Sequence, residues 1–490
     1  MLLKRNRILS VTLAILMLCT IFTGCSQNVF KSVEQQQIEQ EVKESLFTNL
    51  NEESIDANNI MSIIEELSSE KYLGRLPGTE GNRLAAKYII DYFKEIGLEN
   101  PEGLEDYKQY YNQKVLFTNS APILELVNED GDKLKEYNYI TQFSPGIGGI
   151  NVIKGEVTAP CLIMDDVKQY AIGNEELRGK ILLIPDNIIT ELNSDLEKTQ
   201  DYSAFNWIMS QESGVKGIVA EIDLRKPSHI QKYFPVSKIA DHIDRSDKTK
   251  GLIQVGCNTP YFNEIKREAE NGALIHISVD YSVEEVVVPN IIGVIPGTDE
   301  KLKNEYIIIS GHFDHVGDNK DGTYNPGALD NASGTAAMME IARILMENEV
   351  KPKKSIVFIA FNGEEELLKG SKYYTENPVF PLDNTVLINM DMVGSTRKPL
   401  FVMDAMLEEN KLKDEIYKYV QQFGIDSYNG RTNRSDHTHF EEKGVEAITL
   451  IQPDEKSGYH SPKDTIKLVN KTKIKLIIKP LLYYLDKNAY

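Results

Sequence analysis

Cysteine is scarce in this sequence, because its 490 residues contain only four. Cys19 and Cys25 lie within or directly after an apolar stretch at the N-terminus, which leaves Cys161 and Cys257 for the body of the chain. Those two could form a disulfide in an oxidising compartment or remain free thiols, and the sequence does not decide between these states. Two cysteines cannot build a thiolate metal site, so we expect none.

Basic residues are also in deficit, with 54 Lys and Arg against 74 Asp and Glu and a formal net charge of −20. The sequence has no basic stripe, no low-complexity tract and no evident internal repeat, so we expect no nucleic-acid partner. The composition, 41% hydrophobic and 26% charged, is that of a folded globular protein. At 490 residues the chain is too long for one ordinary core, so two or more domains are expected.

The long hydrophobic run at the N-terminus has the features of an export signal. The basic segment MLLKRNR precedes ILSVTLAILMLCTIF, which is short for a membrane span, and FTGC then ends at Cys25. This order resembles a bacterial lipoprotein signal. It implies removal of residues 1–24, lipid attachment to Cys25 and a location outside the cytoplasm at the cell membrane; an uncleaved N-terminal anchor is the alternative. Residues 25–54, rich in Gln, Glu and Asn, are predicted to form a tether.

The pattern of the remaining chain changes twice. Residues 55–140 begin with two predicted helices around the turn GRLPGTEG. Residues 141–284 contain short apolar runs separated by charged or Gly/Pro turns, which is typical of a β-rich domain with a few helices. Over residues 285–490, continuous apolar strands alternate with helices. That alternation predicts an α/β fold with a mostly parallel sheet sandwiched by helices.

Polar side chains suited to metal binding follow the apolar strands of this last region. In chain order they are His312, Asp314 and His315 in GHFDHVG, Asp330 in GALDNASG, Glu364, Glu365 and Glu366 in FNGEEE, Asp391 in NMDMVG, and Tyr459 with His460 in YHSPKDT. Because ligands bind at the carboxyl ends of strands in open α/β sheets, we expect these groups to converge on one rim. Carboxylates and imidazoles without a thiolate suit a pair of Zn²⁺ or similar divalent ions.

Each of these groups also has an ordinary structural interpretation. Acidic residues favour the first turn of a helix, so the glutamate triplet alone could be a solvated helix start. Asn331 or Ser333 could simply cap the helix that follows Asp330. A single histidine after a strand is usually a satisfied polar residue. The recurrence of such groups at successive strand ends is what favours a shared site.

Together, the motifs GHFDHVG, GALDNASG, FNGEE, NMDMVG and YHSPKDT resemble those of the co-catalytic zinc aminopeptidases, the family of aminopeptidase Y and the bacterial leucyl aminopeptidases. Glutamate carboxypeptidase and the transferrin receptor are related to that family. The resemblance covers residues 55–490 and implies a zinc exopeptidase-like fold, with residues 55–140 and 285–490 forming the peptidase domain. Residues 141–284 resemble the protease-associated (PA) domain that is inserted in several relatives.

The resemblance also implies a set of metal ligands. His312 and Asp391 would bind one zinc or other divalent ion, Glu365 and His460 would bind the second, and Asp330 would bridge both.

The resemblance further implies three catalytic side chains. Glu364 would be the general base that takes a proton from the metal-bridging water, and Tyr459 would hydrogen-bond the oxyanion. Asp314 would orient His312, which agrees with the carboxylate partner that a metal-bound imidazole usually has.

Several neighbouring polar residues receive no ligand role. Glu366 is expected to point to solvent or to cap the following helix, and no ligand role for His315 can be justified from the sequence. His437 and His439 in RSDHTHF are expected at most to line the substrate cleft. Three histidines of the inserted region are expected to be structural: His229, His242 and His276.

The predicted function is that of a lipid-anchored, two-metal aminopeptidase acting on peptides outside the cytoplasm. Three alternatives use the same scaffold: a carboxypeptidase or amidohydrolase, a glutaminyl cyclase with a single metal ion, and a non-catalytic binding protein. The sequence does not determine side-chain specificity, the identity of the metal, the oligomeric state or the role of the inserted region.

Overall fold

The computed structural model of the chain describes residues 55–145, 152–169, 171–201, 203–222, 240–241, 252–348, 350–454 and 458–490. The predicted signal, the lipid site at Cys25 and the tether all lie outside the described residues and stay predictions, as do the structural roles expected for His229 and His242. Within the described ranges, no helix is both long enough and apolar enough to cross a membrane.

The strands and helices are numbered in chain order over the described residues. The strands are β1 (Lys108–Val127), β2 (Lys133–Glu136), β3 (Phe143–Pro145), β4 (Lys154–Ala159), β5 (Cys161–Ile163), β6 (Ile181–Ile184), β7 (Gly217–Ile222), β8 (Ile253–Asn258), β9 (Leu274–Ile295), β10 (Tyr306–His312), β11 (Ser355–Phe361), β12 (Thr385–Asp391), β13 (Leu400–Asp404), β14 (Ser427–Arg431) and β15 (Glu446–Ile451). The helices are α1 (Ala57–Leu67), α2 (Glu80–Ile96), α3 (Asp186–Thr199), α4 (Ser203–Met209), α5 (Thr259–Glu270), α6 (Ser333–Glu347), α7 (Lys369–Glu376), α8 (Lys411–Gln422), α9 (His437–Glu441) and α10 (Lys471–Asn488).

The larger sheet has ten strands in the order β14-β13-β15-β12-β10-β11-β9-β1-β2, and β4 pairs with β9 beside this path. Its centre is parallel, because β10 pairs in parallel with β11 and β12, and β12 with β15. Every residue of β11 is buried, as expected for a strand covered on both faces. The predicted α/β class with a mostly parallel sheet between helices is therefore confirmed.

Helices cover this sheet in two groups. Helix α6 packs against α1, α2 and α10, helix α1 packs against α10, and α6 contacts β10 and β12. Helix α7 packs against α9, and Tyr374 and Phe440 from these two helices share an apolar cluster with Val357, Ile359 and Phe361 of β11. Because alternate residues of a strand point to opposite faces, the intervening residues of β11 face the other helical layer.

A second sheet of five strands, in the order β3-β8-β7-β6-β5, lies within the inserted region. A long antiparallel ribbon formed by β1 and β9 belongs to the larger sheet and also packs on the second one, where Leu116 and Ile277 share a core with Val219. The predicted boundary at residue 284 falls inside the continuous strand β9. The division into two domains stays a prediction.

Cys161 and Cys257 are free thiols in this structure. They lie on β5 and β8, and strands β6 and β7 separate them in the sheet. A disulfide needs Cα atoms less than about 7 Å apart, so the two cannot pair in this fold.

Candidate metal centre

The polar residues predicted from the sequence meet at the carboxyl edge of the larger sheet. His312 and Asp391 are the last residues of β10 and β12, and Glu364 follows the end of β11. Asp330 lies in a short turn, Ala328–Ala332, that leads into α6, and its backbone angles there are not helical. Neighbouring parallel strands end side by side, so these side chains are brought together although they are far apart in sequence.

Asp330 lies between two histidines. Its Oδ1 is 3.4 Å from His312 Nε2, and its Oδ2 is 3.2 Å from His460 Nε2. The two carboxylate oxygens of Asp464 accept hydrogen bonds from the backbone N–H groups of Leu329, at 2.9 Å, and Asp330, at 3.0 Å. The backbone of Asp330 is thereby fixed while each of its carboxylate oxygens faces a different imidazole.

The first candidate metal group contains His312, Asp330 and Asp391, whose ligand atoms lie within 4.8 Å of one another. His312 Nε2 is 3.7 Å from Asp391 Oδ1. The other oxygen of Asp391 accepts a hydrogen bond of 2.8 Å from Ser435 Oγ, which leaves Oδ1 facing the group. His312 Nε2 is buried and has no hydrogen-bond partner among the described residues, as expected of an atom placed to bind a cation.

The second candidate metal group contains Asp330, Glu365 and His460, together with His315, for which no ligand role was expected. Glu365 Oε2 is 2.7 Å from His460 Nε2, and Glu365 Oε1 is 2.7 Å from His315 Nδ1. His315 therefore holds one oxygen of the carboxylate while the other faces the group. Its position three residues after His312 is the one sequence feature that could have suggested this contact.

Asp314 connects the two groups through the backbone. His312 Nδ1 lies 3.3 Å from the backbone carbonyl oxygen of Asp314 and 3.5 Å from its Oδ1, so the main chain and the side chain of Asp314 both orient the imidazole. The same carboxylate accepts hydrogen bonds from the backbone N–H groups of Glu364, at 3.2 Å, and Glu365, at 3.3 Å. One buried side chain thus fixes His312 and the loop that carries both glutamates.

Glu364 and Tyr459, the other two predicted catalytic residues, lie at the same edge. Glu364 Oε2 is 3.9 Å from His312 Nε2, and burial raises the pKa of Glu364 well above its usual value. The ring of Tyr459 stacks on that of His460 with 3.8 Å between the ring centroids. Burial raises the pKa of Tyr459 well above its ordinary value, so the phenol keeps its proton and can donate it in a hydrogen bond.

The charge of this region is strongly negative. Among the described residues, the region holds seven buried or nearly buried carboxylates and one buried guanidinium, that of Arg75, which interacts with four of them. The carboxylates are those of Asp314, Asp330, Glu364, Glu365, Asp391, Asp436 and Asp464. Burial raises the pKa of both Asp436 and Asp464 to about 7. Burying unpaired carboxylates is costly, so this donor set fits divalent cations, which would neutralise much of the charge.

The histidines respond to the same charge. Burial disfavours the protonated form of His460, but Glu365 and Asp330 outweigh this effect and raise its pKa to about 10. Burial alone would raise the pKa of Glu365, yet His460 and His315 hold it at about 2. His312 and His460 are thus stabilised as cations, whereas burial lowers the pKa of His315. Divalent ions bound to the same carboxylates would take over that role.

Arg75 is a functional neighbour that sequence reasoning missed. Its side chain is fully buried and donates hydrogen bonds to four backbone carbonyls, those of Leu67, Phe313, Pro326 and Gly327, at 2.6–2.9 Å. Phe313 lies between His312 and Asp314, and Gly327 lies three residues before Asp330. The turn GRLPGTEG therefore supplies a buried cation that fixes both of these loops.

Glu366 does not lie where the sequence placed it. It was expected to point to solvent or to cap a helix, but it is 2% exposed and accepts hydrogen bonds from the backbone N–H groups of Leu116 and Ala240. The expectation was wrong because the side chain is covered by β1 and by Ala240, segments distant in sequence. Burial raises the pKa of Glu366 to about 8.

The remaining histidines form separate local contacts. His437 Nε2 is 3.0 Å from the carbonyl of Thr432, and His439 Nδ1 is 2.7 Å from the carboxylate of Glu442. His276 Nδ1 is 2.8 Å from Thr158 Oγ1 in the inserted region. None of these three is a member of the two candidate metal groups found among the described residues.

Residues 290–485 match the model of peptidase family M28. Aminopeptidase YwaD of Bacillus subtilis (strain 168) is 31% identical over 200 residues, which cover 38% of this chain and 41% of the relative. A glutamate carboxypeptidase 2 homolog of Caenorhabditis elegans is 28% identical over 242 residues, 46% of this chain and 30% of the relative. The chain therefore spans less than half the length of these curated relatives. The predicted resemblance to the co-catalytic zinc aminopeptidases is confirmed.

A solved structure extends the similarity to the whole fold. An aminopeptidase from Aneurinibacillus sp. strain AM-1 superposes with a TM-score of 0.59 at 22% identity, over 89% of this chain and 95% of the other. At this level of identity the likeness establishes the fold and not the activity.

Proposed function

We propose that this chain is a metallo-aminopeptidase that binds two divalent ions, zinc in the first instance, and removes N-terminal residues from peptides. The match of residues 290–485 to the model of peptidase family M28 supports the proposal. The observation that carries the proposal is the position of Asp330, with one carboxylate oxygen toward His312 and the other toward His460. A carboxylate shared in this way can hold two ions at the short separation that two-metal hydrolases use.

In this proposal the ligands divide between the two groups described above. His312 and Asp391 would hold one ion, Glu365 and His460 would hold the other, and Asp330 would serve both. Bound divalent ions lower the pKa of a water molecule and polarise the carbonyl of the bond to be cleaved. His315 and Ser435 each occupy one oxygen of a ligating carboxylate and so fix which oxygen faces the ion.

Glu364 is proposed as the general base. Its side chain is 12% exposed, which leaves it open to a substrate while its pKa stays well above the usual range because of burial. A carboxylate with a raised pKa can take a proton from water and return it to the leaving amine. Tyr459, stacked on His460, is proposed to donate a hydrogen bond to the carbonyl oxygen of the substrate.

The variant Glu364→Gln tests this assignment, because it keeps the shape of the side chain and removes its basicity. We expect it to bind two equivalents of metal and to lose about 10²–10⁴-fold in kcat on aminoacyl-anilides. Glu376→Gln, at an exposed position of α7, is the matched control. Full activity of Glu364→Gln would contradict the role of Glu364 as the base.

The proposed substrate class is tested with matched peptides. An aminopeptidase should cleave peptides with a free N-terminus and reject their N-acetylated counterparts. Cleavage of blocked peptides from the C-terminal side would instead indicate a carboxypeptidase or amidohydrolase. A metal stoichiometry of one, with cyclisation of N-terminal glutamine, would indicate a glutaminyl cyclase. Two bound ions without hydrolysis of any peptide would favour a binding protein.

We also propose that the enzyme acts outside the cytoplasm, held at the cell membrane by lipid on Cys25. The support is the order of the basic segment, the apolar segment and FTGC at the N-terminus. The test is metabolic labelling of the expressed full chain with a radioactive fatty acid. Cys25→Ser should abolish the label, and a labelled Cys25→Ser protein would contradict the assignment.

A further inference from the structure

The loop that carries Glu364 and Glu365 is backed by a buried carboxylate outside both metal groups. Glu366 Oε1 accepts a hydrogen bond of 3.4 Å from the backbone N–H of Leu116 in β1, and its Oε2 accepts one of 3.0 Å from the N–H of Ala240. Ala240 lies between β7 and β8 of the inserted region. One side chain therefore joins three segments that are more than a hundred residues apart in sequence.

A second contact links the same segments. The ammonium group of Lys369, the first residue of α7, pairs with the carboxylate of Asp241. Both side chains are about a quarter to a third exposed, in contrast to the nearly complete burial of Glu366. Two adjacent residues, Ala240 and Asp241, thus contact two residues that follow the predicted base.

Backbone hydrogen bonds within the loop connect Glu366 and Lys369 to the position of Glu364. The N–H of Leu368 donates to the carbonyl of Glu364 at 2.9 Å, and the N–H of Lys369 donates to the carbonyl of Gly363 at 2.8 Å. Leu367 and Leu368 both have positive φ angles, 69° and 59°. This conformation costs free energy for a residue with a side chain, so it persists only where surrounding contacts hold it. A displacement at Glu366 or Lys369 would therefore move Glu364.

The start of the loop is fixed on the same strand. The hydroxyl of Tyr111 in β1 donates to the carbonyl of Asn362 at 2.5 Å. A Cβ at Gly363, where φ is 71°, would lie 2.2 Å from Gln113 Oε1, so the glycine is needed for this close approach. Strand β1 thus fixes the loop at its start, and Glu366 with Lys369 fixes it at its end.

We propose that Glu366 is a positioning residue for the reaction, and that Ala240 and Asp241 of the inserted region share in aligning Glu364 and Glu365. The inference rests on the proposed function, since it assigns the inserted region a part in setting the geometry of the predicted base. A displacement of about 1 Å in a reacting group can lower the rate by about 10²-fold, so loss of these contacts should be measurable as a fall in kcat.

The test compares Glu366→Ala, Glu366→Gln and Asp241→Asn with Glu376→Gln as the control for loss of an exposed carboxylate on the same segment. For Glu366→Ala we expect kcat to fall by about 10–100-fold with KM within about 3-fold, because the base moves while the substrate-binding surface remains. Glu366→Gln keeps one acceptor and should recover part of kcat. Values of kcat equal to those of Glu376→Gln in all three variants would overturn the inference.

A double-mutant cycle at Lys369 and Asp241 keeps the test valid if Glu366→Ala does not fold. Asp241→Asn and Lys369→Met should each lower kcat several-fold, and the double variant should be no worse than either single one. Additive effects would contradict a shared role.

Hydrogen exchange separates this inference from the proposed function. In the protein loaded with Zn²⁺, amides of residues 362–369 should exchange faster in Asp241→Asn than in the wild type, whether or not any peptide is hydrolysed. Unchanged exchange would overturn the inference. Absence of hydrolysis by a zinc-loaded wild type would overturn the proposed function alone.

Discussion

Replacing Asp314 by asparagine should weaken metal binding without unfolding the protein. The carboxylate serves three groups: His312 Nδ1 lies 3.5 Å from Oδ1, the N–H of Glu364 donates to Oδ1, and the N–H of Glu365 donates to Oδ2. An asparagine amide has one oxygen, and its other terminus is a donor. Whichever way the amide is turned, one backbone N–H of the loop then faces a donor and loses its acceptor.

The magnitude follows from those contacts. A buried donor left without an acceptor costs about 1–3 kcal/mol, and each 1.4 kcal/mol corresponds to a factor of about ten in an equilibrium constant. If this cost is paid in the metal-bound state, metal affinity falls by about 10–100-fold, the range found when the outer partner of a metal ligand is removed. In the metal-free protein the same change removes the negative charge of one of seven crowded carboxylates. The reduced electrostatic repulsion offsets part of the free energy lost with the hydrogen-bond acceptor.

The assay is a competition titration of Zn²⁺ against a chelating dye, together with thermal unfolding of the metal-free and metal-loaded proteins. Asp314→Asn should lose most of the stabilisation that metal gives the wild type, while its metal-free melting temperature changes little. Asp383→Asn, at an exposed position just before β12, is the control. Affinity for both ions equal to that of the wild type would refute the argument that Asp314 organises the two groups.

Three further predictions follow from other contacts. Removal of metal with a chelator should abolish activity and lower the melting temperature, because a ligand at 100 times its Kd stabilises the fold by about 2.7 kcal/mol. Addition of Zn²⁺ or Co²⁺ should restore both the activity and the melting temperature. An unchanged melting temperature in calorimetry would contradict stabilisation of the site by cations. Ser435→Ala removes the hydrogen-bond donor to Asp391 Oδ2 and should lower the affinity for one of the two ions by about 10-fold in a dye titration. Ser427→Ala is the control. An equal loss of affinity for both ions would count against the prediction. The carboxylate of Asp56 accepts hydrogen bonds from backbone N–H groups at the start of α1, and these bonds lower its pKa. The ionised carboxylate therefore stabilises the fold above pH 3.8. This stabilisation is lost as the pH falls through the lower pKa of the folded state. The difference in melting temperature between wild type and Asp56→Asn should therefore change below about pH 4 and stay constant from pH 5 to 8, and a constant difference down to pH 2 would refute it.

Much of the fold could be read from local patterns. Buried strands such as SIVFIAF are continuous apolar runs, and the helix of residues 80–96 ends at Gly97, where φ is 85°. The face of that helix that packs against the core was harder to predict. The helical spacing of apolar residues predicts that Leu84 and Tyr88 face the core, but both are half-buried in the structure, and the small residues Ala85 and Ala86 are buried instead. Small side chains carry little hydrophobic signal although they permit the closest packing.

The candidate site was predictable to the extent that its residues follow strands. His312, Asp330, Glu365, Asp391 and His460 come together because parallel strands end at one edge. Arg75, Asp464 and the buried state of Glu366 were not predictable, since their partners are backbone groups far away in sequence. A backbone carbonyl or N–H has the same identity in every residue, so no sequence motif marks which one an arginine or a carboxylate will contact.

The ribbon of β1 and β9 has a consequence for how this protein can be divided. Residues 290–485 carry every proposed ligand, but Tyr111, Gln113 and Leu116, which back the loop of Glu364, lie outside that stretch, as does Arg75. A fragment cut to the family match would leave Glu366 with neither of its backbone donors. A shortened form of this protein that keeps the proposed site therefore has to begin before residue 75, and a graft of its loop onto another scaffold would have to bring the strand with it.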